Sequence, residues 1–408
     1  MHLRTKFFGL LLVALSIPTL ALADTTITGQ KKGAFFQITV PTVWNGSLVI
    51  NNHGFDFNPP AANPGLGALA PLQLAEGYAV AASSYSNCCW TLFSTKKDLN
   101  RLLEVFEDNF GAPSDVIVHG GSLGGIVTAQ AVEKLDIEPV GSYPICGALS
   151  GSRSWDGAID LRLVYDAVCG AVGVLPGGAT GLPAPGFPTA GLSTAAIAGA
   201  VNACTGVLTP VAFRTPAQTA RLNQIKAVTT LPENFIVTDM VFVTNGLSNL
   251  IFAPDKLDGG QGVGNIGVTY NDAGINASIQ RVAANNKAAK ELDKNYTPKG
   301  EVNATKTVSI HTDGDGLVIV ENEKEYADVV PASQLSTAIV DEAGNTHCGF
   351  TSPELVSGWE ELRDWIAGGP QPTASDIQSR CLTLGPAAQC RYNAAYVVND
   401  MDTRIPPR

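Results

Sequence analysis

The stretch that most constrains this chain is Asp115–Gly125, in which the β-branched run Val116-Ile117-Val118 leads through His119 into Gly120-Gly121-Ser122-Leu123-Gly124-Gly125. Apolar residues from Ile126 to Leu135 then continue as a helix. A buried strand that turns through glycines directly into a helix belongs to a parallel α/β sheet, because parallel strands need helical crossovers to return the chain. The same stretch is a G-x-S-x-G arrangement, Gly120 to Gly124. An ordinary glycine-rich turn has this pattern too, but the position between strand and helix also suits a nucleophilic serine. A sharp turn lifts such a hydroxyl clear of the backbone, flanking glycines such as Gly120 and Gly124 remove side chains that would collide, and the Leu123 amide at the helix start faces a developing oxyanion.

The surrounding rhythm agrees. Ala34–Val40, Ser47–Asn51 and Tyr78–Ser83 read as strands, and Thr95–Phe110 as a helix with Leu99, Leu102, Leu103 and Phe106 on one face. Val140–Ile145, Thr307–Ile310 and Thr337–Val340 are further strands, with helices expected over Glu321–Val329 and Pro353–Ile366. Between about residues 150 and 300 the rhythm is lost. Gly170–Ala200 is rich in Gly, Ala, Pro and Thr, and helices are expected over Pro216–Ala227, with Thr215 as cap, and Ile279–Leu292. The expectation is a core of residues 24–150 and 301–408 with an inserted cap over 151–300.

Residues 1–23 read as a secretory signal: Arg4 and Lys6, an apolar run from Phe7 to Leu22, and a small-x-small end at Ala21-Leu22-Ala23. Pro18 breaks the run, which is short for a membrane span, and no later stretch is read as one. Export to an extracellular or periplasmic location fits eight cysteines. Eight pair in about 105 ways, but Cys381 with Cys390 and Cys169 with Cys204 are reasonable pairs, while adjacent Cys88 and Cys89 are expected to take different partners. Sequons stand at Asn45, Asn276, Asn295 and Asn303. A net charge of −11 without a long basic cluster argues against nucleic acid. No cysteine spacing resembles a zinc site, and neither metal nor organic cofactor is expected.

A serine nucleophile needs a base, and the chain has five histidines. His2 leaves with the signal, His119 shares the nucleophile's strand and should point away, His53 lies in an early loop, and His311 is within a strand. His347 remains, in a polar loop between the last strand and the following helix. The acid that orients it is Asp313 or Asp315, in His311-Thr312-Asp313-Gly314-Asp315-Gly316. Asp315 is favoured because the usual pattern of strand, turn and acid in such folds leaves a longer turn before the acid. A solvated acidic turn and a calcium loop are the other readings of this run, and for the latter the EF-hand spacing is missing. His53-Gly54-Phe55 follows an early strand, where the Phe55 amide would complete an oxyanion hole and Gly54 would allow close approach.

With these residues in place, the chain resembles the α/β-hydrolase superfamily, specifically its secreted, capped, esterase-like members. Pro41-Thr42-Val43-Trp44-Asn45-Gly46 leading to His53-Gly54, Gly120–Gly125, His311–Val318 and His347 carry the resemblance. The third segment looks like a family histidine-glycine-x-x-aspartate-x-x-valine stretch with Thr312 replacing the glycine, and this alignment also puts the acid at Asp315. The Pro-x-x-Trp-Asn-Gly opening is similar to tannase- and feruloyl-esterase-like proteins. Those bond a cysteine beside the nucleophile to one beside the histidine. Here Cys348 follows His347 but Leu123 follows Ser122, so that bond is not expected. The resemblance implies carboxylic ester hydrolysis by Ser122, His347 and Asp315 on a small-molecule or polymeric ester. The Leu175–Ala200 stretch suggests an apolar acyl group or polymer, or equally a disulfide-closed surface loop. A peptidase of the same fold is the alternative, with Asp156, Asp160 or Asp166 holding a substrate amine. A non-catalytic binding protein on this scaffold is the third.

Overall fold

The computed structural model describes residues 23–175 and 192–408. The expected signal segment and most of the Leu175–Ala200 stretch therefore lie outside the described residues. Eight strands form one sheet: β1 Thr25–Lys31, β2 Ala34–Val40, β3 Ser47–Asn52, β4 Ala79–Ser83, β5 Asp115–Gly121, β6 Gly141–Ile145, β7 Lys306–Thr312 and β8 Leu335–Val340. Their order is β1-β2-β4-β3-β5-β6-β7-β8. β2 runs antiparallel to both β1 and β4, and the ladders from β4 through β8 are parallel. This is the α/β-hydrolase arrangement, an α/β sheet covered on both faces.

Strand alternation explains the two cores. Leu48 and Ile50, Ala79 and Ala81, and Val116 and Val118 point to one face, where α2 (Thr95–Phe110) and α3 (Leu123–Lys134) pack. Val49, Val80 and Ile117 point to the other face, against Trp359 and Leu362 of α12 (Ser352–Ile366) and Ile377 of α13 (Ala374–Leu384). The short α1 (Ala70–Ala75) joins that second layer. Each fully buried aliphatic side chain contributes about 2 kcal/mol, which is why near-continuous apolar strands specify a two-sided burial.

Between β6 and β7 lies a block of helices: α4 (Arg153–Cys169), α5 (Thr194–Thr205), α6 (Pro216–Thr229), α7 (Ile236–Val241), α8 (Leu247–Phe252), α9 (Ala273–Ser278) and α10 (Asn286–Tyr296). α11 (Asn322–Val329) follows β7. Thr215 caps α6 as expected: its hydroxyl accepts from the Gln218 amide at 3.2 Å, and the Gln218 side chain accepts from the Thr215 amide at 2.9 Å. The helix expected over Ile279–Leu292 is instead split between α9 and α10. Residues 279–285 run extended because the Asn265 side chain and backbone pair with Val282 at 2.7 and 2.9 Å, and Asn285 caps α10. Ile279 and Val282 bury their side chains from this extended segment, mimicking helical spacing.

One run departs from expectation in another way. Glu233–Phe252, where α7 and α8 are joined by a π turn at Phe242–Gly246, is long and apolar enough to cross a bilayer, but 78% of it is buried inside the fold. Polar Asp239, Asn245 and Asn249 interrupt it, which hides its length in the sequence.

Three disulfides form. Cys169–Cys204 and Cys381–Cys390 are the pairs expected, and the third is Cys146–Cys348. Cys88 and Cys89 do not find separate partners, since the other six cysteines pair among themselves; their sulfurs face each other at 2.6 Å. Three bridges are the pattern of an oxidising compartment.

His119, on β5, points to the Trp359 layer and is buried, with its pKa pushed down to about 4 by desolvation. An unfolded histidine titrates near 6.5, so between these values the unfolded chain binds the extra proton. The contribution is fully present above pH 6.5 and lost as pH falls toward 4, by roughly 3 kcal/mol. Urea unfolding of His119→Gln across this window should show a loss smaller by about that amount.

Candidate active site

β5 ends at the serine turn, and Ser122 adopts φ 59°, ψ −125° before α3 begins. A non-glycine residue in this region costs about 1–3 kcal/mol. Its neighbours hold it there: the Ser122 amide donates to the Ile145 carbonyl at 2.9 Å, and the Gly125 amide donates to the Ser122 carbonyl at 2.9 Å. The turn fits only with glycines at Gly120 and Gly124, because β3 passes close by. A Cβ on Gly120 would lie 2.3 Å from the Asn52 carbonyl oxygen, and one on Gly124 would lie 2.0 Å from it. Gly121 has no such constraint, its nearest neighbour being 3.7 Å away.

Ser122 Oγ lies 2.7 Å from His347 Nε2, and His347 Nδ1 lies 2.7 Å from Asp315 Oδ2. Each member is held from a different element. Asp315, 2% exposed after β7, accepts from the Leu317 and Val318 amides through Oδ1, both at 3.0 Å, and from the Cys348 amide through Oδ2 at 3.2 Å. These bonds keep a buried carboxylate in charge-assisted contact on both oxygens. With Nδ1–H donated to Asp315, the other ring nitrogen is left free to accept the serine proton. Asp313, the competing acid, is elsewhere: its Oδ1 accepts from the Glu342 amide at 2.7 Å, fastening the start of the histidine loop. Glu342 in turn accepts from the Thr346 amide and hydroxyl at 2.8 and 2.6 Å.

The other histidines among the described residues are occupied. His119 points away from the serine, as expected. His311 contacts Glu323 at 3.2 Å and Val318 carbonyl at 2.8 Å. Burial opposes charge on the His311 ring, but the Glu323 carboxylate outweighs it and holds its pKa above the ordinary value. His53 stacks on Tyr85 with centroids 4.3 Å apart, and its carbonyl accepts the Tyr85 hydroxyl at 3.2 Å, which anchors the early loop. Gly54 passes the serine at ordinary contact distance, a Cβ there lying 3.4 Å from the Gly121 carbonyl oxygen and 3.6 Å from Ser122 Cβ. Phe55 and Leu123 both line the cavity at Ser122. Leu123 opens α3, where first-turn amides have no intrahelical acceptor.

That cavity is the main site residue types alone do not reveal. It lies between the serine turn and the helical block, with about 1280 Å³ of empty space, part of it open to solvent. Phe55, Trp90, Trp155 and Phe242 form an aromatic wall: Phe55 and Trp90 centroids are 4.3 Å apart, and Trp90 and Trp155 4.4 Å. The π turn presents the Gly246 carbonyl to the Trp90 indole N–H, at 2.7 Å, and so fixes that wall. Asp239 also lines this cavity and was not singled out in the sequence. The three acids considered for amine binding are each paired with arginine: Asp156 with Arg408 at 2.9 Å, Asp160 with Arg408 at 3.0 Å, and Asp166 with Arg162 at 2.9 Å.

Cys348 is tied after all, but from the neighbouring strand: Cys146 directly follows β6 and its sulfur approaches the serine turn beside Gly121. Asp315, His347 and Cys348 place donor atoms within 4.8 Å of one another, yet the Cys348 sulfur is spent in the bridge and offers no thiolate.

Two pairs of variants test this construction. Gly124→Ala forces a methyl into backbone and should cost at least about 100-fold in turnover or abolish folding, whereas Gly121→Ala should stay within about threefold. Replacing both Cys146 and Cys348 by Ala should lower kcat about 10- to 100-fold by loosening the histidine loop. The Cys381/Cys390 double variant, which leaves the Cys146–Cys348 link intact, should retain kcat while losing thermal stability. Steady-state kinetics and thermal melts distinguish these outcomes.

No family model matches the chain, and no curated protein matches it. Among solved structures it is similar to feruloyl esterase B from Aspergillus oryzae, at 11% identity and TM-score 0.44, covering 86% of this chain and 81% of that one. It is similar to an esterase from the same organism, at 12% identity and TM-score 0.42, covering 86% and 80%. It is also similar to proline iminopeptidase from Mycobacterium smegmatis, at 12% identity and TM-score 0.38, covering 88% and 100%. These scores are low, and the α/β-hydrolase fold of this chain rests on its own strand order.

Proposed function

We propose that the chain is an exported serine hydrolase that cleaves carboxylic esters. The observation that carries this reading is the continuous chain from Ser122 Oγ to His347 Nε2 and from Nδ1 to Asp315, each link 2.7 Å. Ser122 Oγ attacks the ester carbonyl as its proton passes to His347 Nε2, and Asp315 stabilises the resulting imidazolium. The amides of Leu123 and Phe55 receive the oxyanion. His347 then protonates the departing alcohol, leaving an acyl group on Ser122. A water, deprotonated by His347, attacks this acyl-enzyme and releases the acid.

Residues 151–300 act as a cap that supplies much of the substrate cavity. An aromatic, apolar lining supports an apolar ester group over a charged one. A peptidase holding a substrate amine is the second reading, and the arginine partners of Asp156, Asp160 and Asp166 weigh against it. Export is supported by the leader-like first residues together with three disulfides.

A fluorophosphonate probe should label the wild-type chain and fail to label Ser122→Ala. Asp315→Asn, which disturbs the imidazole tautomer, should lower kcat by about 10⁴-fold. Turnover of p-nitrophenyl acyl esters should exceed that of aminoacyl-nitroanilides, and activity confined to the anilides would overturn the ester assignment.

A further inference from the structure

The cavity at Ser122 is apolar over most of its lining, yet three polar atoms buried in its wall have no hydrogen-bond partner: Asp239 Oδ1, Asp160 Oδ2 and Tyr296 OH. Their residues are 6%, 6% and 3% exposed. Buried polar atoms are nearly always satisfied, so three orphans in one cavity point to a ligand that satisfies them. Asp160 Oδ1 already accepts the Tyr270 hydroxyl at 2.6 Å and the Arg408 guanidinium at 3.0 Å. Asp239 has no ion-pair partner among the described residues. It stands on α7, with Phe242 of the aromatic wall three residues further along.

We propose that Asp239 is a specificity-determining residue that hydrogen-bonds a hydroxyl carried by the substrate, so that the preferred ester is apolar but hydroxyl-substituted away from the scissile bond. This rests on the ester-hydrolase reading above. Burial, reinforced by the Asp315 carboxylate nearby, pushes the Asp239 pKa well above the carboxylate range. Its protonated form is an O–H donor to a substrate oxygen. A substrate hydroxyl can accept that proton and also donate onward to an acceptor, where a plain alkyl chain would leave all three atoms orphaned. An ammonium group is the poorer occupant. Burying its charge in a mostly apolar wall costs more than burying a hydroxyl, and Asp160 already balances the Arg408 guanidinium through Oδ1.

The test compares ester pairs that differ by a single hydroxyl, placed on the acyl chain in one pair and on the alcohol in the other, with an amine-bearing analogue beside them. Wild-type kcat/KM should favour the hydroxylated member of at least one pair by about tenfold or more. Asp239→Leu should erase that preference while retaining or improving turnover of the plain ester. Asp239→Asn, which keeps an N–H donor, should retain the preference within about threefold. Asp239→Leu should also melt no lower than wild type, because it removes an unpartnered buried group; a lower melting temperature together with an unchanged preference would show a purely structural role and overturn the proposal. Equal rates within both pairs, or a preference for the amine analogue, would overturn it as well. If no ester at all is turned over, and the fluorophosphonate does not label Ser122, the hydrolase reading itself has failed; plain-ester turnover without a hydroxyl preference sinks only this inference.

Discussion

The contact on which the site depends is the near approach of two backbones, β3 at Asn52 and the serine turn between β5 and α3. The Asn52 carbonyl occupies the space a Cβ of Gly120 or Gly124 would need. Two parallel strands at ordinary spacing thus hold a turn whose central residue sits in a disfavoured conformation. The ladder bonds of β5 to β3 and β6, together with the amide of Ser122 on the Ile145 carbonyl, supply the restraint. Strain at one residue is tolerated when the strands on either side of it are buried and fully paired. Position of the hydroxyl follows from the sheet, and the other parts of the site are arranged around it.

Much of this was legible in the chain because it depends on local rules. Valine and isoleucine runs, helix caps and the glycine spacing around Ser122 each act over a few residues, and strand order then follows from short right-handed crossovers. His347 could be singled out because only five histidines exist and four have evident places. Asp315 could be preferred over Asp313 by turn length, and the structure gives a reason for the difference: one carboxylate reaches the ring, the other fastens the loop that carries it.

What was hidden depends on contacts between segments far apart in sequence. Cys146 lies about two hundred positions from Cys348, and no local pattern couples them. The aromatic wall draws Phe55, Trp90, Trp155 and Phe242 from four separate elements. The split between α9 and α10 arises from Asn265, a residue outside the segment it reshapes. Asp239 was obscure for another reason: an isolated acid inside an apolar run looks like a solvated face, and only the packing of α7 shows that it turns inward.

The bridge between Cys146 and Cys348 has a consequence for how this fold tolerates change. It ties the residue that follows β6 to the residue that follows His347, so the covalently closed stretch holds the helical block together with β7, Asp315 and β8. The block itself leaves and returns between β6 and β7, which pair directly in the sheet, so its length can vary without displacing either sulfur. Variation in the block is thereby separated from the position of the His347 ring, which the bridge moors beside the serine turn.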